Sequence, residues 1–346
     1  MPEKFSEQKI LEDLFAGIKE FKKTKDYLVA VDTDGCVVDN MSGKQILVFH
    51  PLYMEFYGLW DIESYFREVA EYYNLFSAHR GSNRFIALRL ILKALRERMD
   101  VSRIVKEKNL EIPDVAIIDD FIKFCEENSY GLSNSSLRLF VDTMPLNLAA
   151  QKLLAWSRAV NEILPLVDKA FVPFANARKS LEIISTKADV VVVSQTPYDD
   201  LFEYWRSYDM IKYVRIICGQ EVGSKIHQIE MLKNIGGYSE NNVLVIGDSY
   251  GDFEAAAKNN VRFYPVSPGQ EENAWKKTPD VFDLFINGKY TAEKQKIFLE
   301  EFLNILTGSL PWENPGYDHI VSYKEKQELR KSLYQRFNPS GRLLLL

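Results

Sequence analysis

Five short, mainly apolar runs stand out along the chain: 27–32, 189–194, 213–218, 242–248 and 262–266. Each is too short for a helix of ordinary length and breaks into polar or glycine-containing turns, which predicts strands buried on both faces. Segments with helical patterning, at about 176–187, 199–206, 225–234 and 252–258, precede the last four runs in turn. Strand and helix in alternation predict a parallel sheet covered by helices on both sides.

The stretch between about 45 and 175 follows a different rule. It is rich in Phe, Tyr, Leu and Arg and has few strand-like runs. From Arg84 to Met99, Phe85, Leu88, Leu92, Leu95 and Met99 form one stripe, with Arg89, Lys93 and Arg96 opposite, the signature of an amphipathic helix. Further helices are expected at 152–164 and 115–126. Another is expected at 5–24, where Phe5, Leu11, Leu14, Phe15, Ile18 and Phe21 mostly keep helical spacing. The expected fold class is therefore α/β. A Rossmann-like three-layer core with a parallel sheet, made of residues 1–40 and 176–310, is interrupted by a mainly α-helical insertion at 41–175. Residues 311–346 form a C-terminal extension with one helical stretch near 323–336, and its closing leucines, Leu343–Leu346, are candidates to pack on the core or on a partner.

Composition narrows the function classes. The chain has 346 residues, 46% apolar and 27% charged, proportions of a globular protein with a core. With 43 basic against 49 acidic residues the net charge is −6, which argues against a broad basic face for nucleic acid. The N-terminal segment carries charges throughout and the apolar runs are short, so neither a secretory signal nor a membrane partner is expected. Cys36, Cys125 and Cys218 are too far apart for a disulfide framework or a CxxC metal knuckle, and a reducing cytoplasm is the simplest compartment. His50, His227 and His319 are scattered and suggest no metal cluster.

In parallel sheets ligands bind beyond the carboxyl ends of the strands. The first run ends in Asp32-Thr33-Asp34-Gly35 and the second in Ser194-Gln195-Thr196. Gly219 to Lys225 follow the third, and the fourth ends in Gly247-Asp248-Ser249-Tyr250-Gly251-Asp252. Four carboxylates on one edge repel each other unless a cation is present. Hard oxygen ligands favour Mg²⁺, and a lysine with a serine hydroxyl suits phosphoryl oxygens. The pattern points to magnesium-assisted phosphoryl transfer.

These four elements, in this order and each at a strand end, resemble the motifs of the haloacid dehalogenase superfamily. The resemblance covers residues 27–35 and about 190–256. The insertion falls where that family carries a C1-type cap. The resemblance implies that Asp32 is the nucleophile forming an aspartyl-phosphate and that Asp34 protonates the leaving oxygen and then activates water. It further implies that the Asp32 carboxylate, the Asp34 backbone carbonyl and the Asp248 carboxylate hold Mg²⁺, that Ser194 and Lys225 bind the phosphoryl oxygens, and that Ser249 and Asp252 stand behind them, Asp252 orienting Lys225 or a metal-bound water. An acid at position 34 resembles the phosphatase and phosphomutase branches, since the dehalogenase branch lacks it. Cys36 departs from the residues common there in phosphatases and reads as a small packing residue. Lys212 and Lys233 are less well placed after the third run than Lys225.

Within the insertion, His79, Arg80, Asn83 and Arg84 cluster just before the strongest helix. Arg forks suit carboxylate or phosphate groups, so these four are candidates to contact a substrate's leaving group; a surface loop with structural ion pairs is the competing reading. The aromatic segment 51–66 reads as insertion core or, less simply, as a pocket lining. The expected activity is Mg²⁺-dependent hydrolysis of a small phosphorylated metabolite. A sugar phosphomutase with the same motifs and a binding protein that keeps the fold without turnover are the alternatives.

Overall fold

The computed structural model describes residues 17–167, 170–306 and 309–337. Residues 5–16 of the first expected helix and the Leu343–Leu346 cluster lie outside the described residues; Gly17–Lys19 are helical.

The chain divides into two compact units. The first comprises Met1–Asp39 and Val172–Leu306, the second Asn40–Phe171 and Thr307–Leu346. The tail thus groups with the insertion.

The first unit holds one five-stranded parallel sheet: β1 (Tyr27–Val31), β2 (Ala188–Val193), β3 (Ile216–Cys218), β4 (Val243–Gly247) and β5 (Arg262–Pro265), in the order β3-β2-β1-β4-β5. Every residue of β2 and β4 is buried, which is why these strands, Asp189 apart, appear in the sequence as apolar runs rather than alternating ones. Val31 pairs with Val192 on one side and Ile246 on the other, so the ends of β1, β2 and β4 lie level. The third strand is shorter than expected: Ile211–Tyr213 form a 3-10 turn, and only Ile216–Cys218 are strand. Helices Ala177–Ser185, Tyr198–Ser207, Lys225–Gly236 and Tyr250–Lys258 follow in the expected alternation, and two more, Glu271–Ile286 and Ala292–Ile305, extend the layers. Leu28, Ala30, Val191, Val193, Val243, Val245, Ile229, Leu232 and Phe302 share one core cluster.

A buried carboxylate braces the amino ends of the strands. Asp189, at the second position of β2, accepts from the Thr24 N–H (2.7 Å) and hydroxyl (2.5 Å), the Lys25 N–H (2.9 Å) and the Tyr238 hydroxyl (2.5 Å). Burial works to raise its pKa, but these donors outweigh it and hold the carboxyl below its ordinary value.

The second unit is helical. Phe85, Leu88, Leu92 and Leu95 are buried, as their stripe predicts, but the helix Arg84–Glu97 ends before Met99. Arg98 is extended, and a separate helix, Met99–Lys108, begins after it. On the opposite face Arg89 pairs with Asp119, and Arg96 donates to the Ile112 carbonyl at 2.8 Å. Of the aromatic segment, Tyr53, Tyr57 and Phe66 are buried, and Tyr53 stacks on Trp156 with centroids 4.8 Å apart.

Polar anchors fasten the tail helix, His319–Phe337, to the helix Glu63–Leu75. Buried Glu68 receives Arg98 at 2.9 Å, Ser322 at 2.6 Å, His319 at 3.2 Å and the Tyr317 hydroxyl. One turn on, Glu71 pairs with Arg330.

Candidate active site

The motif residues of the first unit meet at the carboxyl end of the sheet. β1 connects onward to β2 on one side, while β4 connects to β5 on the other. Loops that leave neighbouring strands in opposite directions open a crevice between them. Asp32 and Asp248, the residues after β1 and β4, flank it.

Asp32 is 5% exposed and Asp248 1%. The Asp32 N–H donates to the Ile246 carbonyl at 3.0 Å, continuing the strand pairing into the site. The turn after it is pinned by two buried indoles: Trp205 Nε1 donates to Thr33 Oγ1 at 3.0 Å and Trp275 Nε1 to the Cys36 carbonyl at 2.6 Å. Gly35 has φ 73°, the left-handed region that favours glycine. Cys36 is fully buried, and burial, with nearby Asp248 and Asp32, pushes its thiol well above the usual range; it packs, as expected.

Lys225 opens the helix Lys225–Gly236. Its Nζ lies 2.7 Å from Asp32 Oδ2 and 2.6 Å from Asp252 Oδ1. Burial works to lower its pKa, but Asp252 and Asp32 outweigh it and hold the ammonium above the ordinary lysine value. Asp252 is fully buried, and its other oxygen accepts from the Ser249 N–H (3.0 Å) and hydroxyl (2.6 Å) in a capping box at the start of the helix Tyr250–Lys258. Gly247 makes room for it: a Cβ there would stand 2.3 Å from Asp252 Cγ. The rival Lys212 pairs with Asp209, and Lys233 donates to the Asn259 carbonyl.

Ser194 follows β2 and is 2% exposed. Its backbone is fixed by Gln228, a residue the sequence reading passed over. Gln228 is fully buried; its Oε1 accepts from the Ser194 N–H at 3.1 Å, and its Nε2 donates to the carbonyls of Ser194, Gly219 and Gly223 at 2.9–3.0 Å. A glutamine one helical turn after Lys225 was the only available signal. Thr196, also passed over, donates its hydroxyl to Asp34 Oδ2.

Among the described residues, Asp32, Asp248 and Asp252 each offer a carboxylate oxygen within 4.8 Å of the others. Three buried carboxylates against one ammonium leave an excess of negative charge. Asp32 registers it: burial, with Asp252 and Asp248, raises its pKa well above the ordinary value, although Lys225 opposes. Buried, all-oxygen and over-charged, the donor set fits a hard divalent cation. Lys225 and Ser249 hold the Asp252 oxygens, and Lys225 and the Thr33 N–H hold those of Asp32.

In the second unit the four residues 79, 80, 83 and 84 have structural partners. Asn83 caps the helix Arg84–Glu97, accepting from the Phe85 N–H at 3.0 Å and donating to the Leu132 carbonyl at 2.9 Å. Arg84 reaches Asn161 Oδ1 at 2.6 Å and the Ser157 carbonyl at 3.1 Å. Buried Arg80 donates to the Leu75 carbonyl at 3.2 Å, and the His79 N–H to Ser77 Oγ at 3.1 Å.

No family model matches the chain, and no curated protein matches it. Solved structures to which it is similar include haloacid dehalogenase-like hydrolases. One is a haloacid dehalogenase-like family protein from Streptococcus pneumoniae, 13% identical, covering 76% of this chain and 100% of that one, with TM-score 0.38. A predicted phosphoglycolate phosphatase from Haemophilus somnus is 12% identical over 76% and 99%, with TM-score 0.42. A hydrolase of the same superfamily from Geobacter sulfurreducens is 13% identical over 71% and 90%, with TM-score 0.33. Likenesses this loose say nothing of substrate or reaction. Among the described residues no helix is long and apolar enough to cross a membrane.

Proposed function

We propose that the chain is a Mg²⁺-dependent phosphomonoester hydrolase of the haloacid dehalogenase type, acting on a small phosphorylated metabolite through an aspartyl-phosphate. The observation that carries the reading is the Lys225 ammonium held between Asp32 and Asp252 at the strand ends, with Asp248 beside them. A nucleophilic carboxylate, a fixed cation for phosphoryl oxygens and a charge excess suited to a metal ion converge on one crevice.

Asp32 and Asp248, with the Asp34 backbone carbonyl, would hold the ion. When bound, it supplies positive charge that favours the ionised Asp32 and stabilises the transferring phosphoryl group. The chain's own residues do the rest. An Asp32 oxygen attacks phosphorus. Ser194 Oγ and Lys225 Nζ hold non-bridging oxygens, where fixed donors are worth most in a site shielded from water. Asp34 gives its proton to the leaving oxygen and afterwards takes one from the water that hydrolyses the aspartyl-phosphate.

The test is phosphate release from a panel of phosphorylated metabolites with Mg²⁺, beside Asp32→Asn. The expected result is release by the wild type and none by the variant. Conversion of a sugar phosphate to its isomer without release would replace hydrolysis by a mutase reaction. Silence of both proteins across the panel would sink the reading.

A further inference from the structure

The segment after β2 carries one residue whose geometry bears on the chemistry assigned to Asp34. Thr196 is gripped on both sides of its backbone. Its N–H donates to Ser194 Oγ at 3.2 Å, and its carbonyl accepts from the Gln220 N–H at 3.0 Å. Pro197 follows, and a residue before proline is confined to extended conformations. Threonine is itself stiff at χ1. A rigid backbone and a stiff side chain therefore aim one hydroxyl, and it is aimed at Asp34 Oδ2.

We propose that Thr196 is the positioning residue for proton transfer by Asp34, fixing which carboxyl oxygen faces the leaving group. The inference rests on the phosphomonoesterase reading above. An oxygen that accepts a hydroxyl proton is a poor place for the carboxyl's own proton, so the transferable proton sits on Oδ1. In the first half-reaction an Asp32 oxygen bonds to phosphorus, the ester P–O bond breaks with its electron pair on the leaving oxygen, and that oxygen takes the proton from Asp34 Oδ1. In the second, water gives a proton back to Oδ1 as its oxygen bonds to phosphorus, and the bond between phosphorus and Asp32 breaks. Thr196 gains and loses no proton; it holds the carboxyl still. Because the Thr196 N–H occupies Ser194 Oγ as an acceptor, the same turn leaves the Ser194 O–H to donate elsewhere, toward a phosphoryl oxygen.

The leaving group provides the test. An alkoxide departs poorly without a proton, whereas p-nitrophenolate departs without help. Thr196→Val should lower kcat/KM, which reports only the steps up to cleavage of the ester bond, by about 10–100-fold on an alkyl phosphate, the scale of a misplaced catalytic group. It should leave kcat/KM on p-nitrophenyl phosphate within about threefold; hydrolysis of the aspartyl-phosphate, common to both esters, does not enter this ratio. Thr196→Ser, which keeps the hydroxyl, should restore the alkyl reaction. Equal losses on both esters would mean that Thr196 only supports the loop, and no loss on either would mean that it does not position Asp34; both overturn the proposal. Should Thr196→Val fail to fold, Thr196→Ala carries the same comparison. Wild-type turnover of neither ester, or full activity in Asp32→Asn, would instead overturn the underlying reading and the proposal with it.

Discussion

Gln228 clasps the Ser194 peptide from both ends, accepting its N–H at 3.1 Å and donating to its carbonyl at 3.0 Å. The same amide holds the carbonyls of Gly219 and Gly223 on the approach to Lys225. One buried side chain thus sets the spacing between the two groups proposed to bind phosphoryl oxygens. Gln228→Met keeps the volume and removes the clasp. It should cost at least about 2 kcal/mol of stability in urea unfolding, since buried carbonyls lose their donors. It should also weaken inhibition by inorganic phosphate more than it lowers kcat. A variant as stable as the wild type would show that the clasp is dispensable.

The Arg98–Glu68 pair is buried on both sides, with side-chain exposures of 0% and 1%. Arg98→Met leaves the Glu68 carboxylate among Ser322, Tyr317 and His319 without its principal cation. Breaking a buried pair from one side costs about 3–5 kcal/mol. The helical unit should therefore unfold at lower temperature, as read by circular dichroism. The double variant Arg98→Met with Glu68→Gln should recover only part of the loss, because the buried charge at 68 is gone while Asp100, which Arg98 also holds at 2.7 Å, is left without its partner.

Asp189 gives the protein an acid-sensitive brace. Its folded-state pKa is lowered, so its contribution is present above the unfolded value, about 3.9, and fades as pH falls through the folded value. Asp189→Asn should be less stable than wild type by about 2 kcal/mol near neutral pH. That gap should hold down to about pH 5 and close at lower pH. A gap independent of pH would show that the charge is not what the four donors stabilise.

The sheet was legible because β2 and β4 are buried on both faces, which leaves Asp189 as the one polar position in either strand. The motif carboxylates were legible for a related reason: a parallel sheet delivers the residues after its strands to one edge, so sequence position alone brings Asp32 and Asp248 together. Gln228 and Thr196 were not, because each acts across the sheet end on a residue 34 or 162 positions away. The break at Arg98 was hidden as well. The apolar stripe runs on to Met99, yet Met99 is 88% exposed and the chain turns to deliver the Arg98 guanidinium to Glu68. The partners of Arg84, Ser157 and Asn161, lie more than 70 positions along the chain and were not legible either. Asn83 is a helix cap, a role its type and place also suggest.

The two indoles that hold the turn from Thr33 to Cys36 make that turn optically visible. Trp205 and Trp275 are both fully buried, and each spends its one N–H on the turn that carries Asp34. Indole emission responds to its hydrogen bond and to nearby charge. The protein therefore contains an intrinsic fluorescence probe beside the crevice flanked by Asp32 and Asp248, and titration with a cation or an oxyanion can be followed there without a label, a coupled assay or a known substrate.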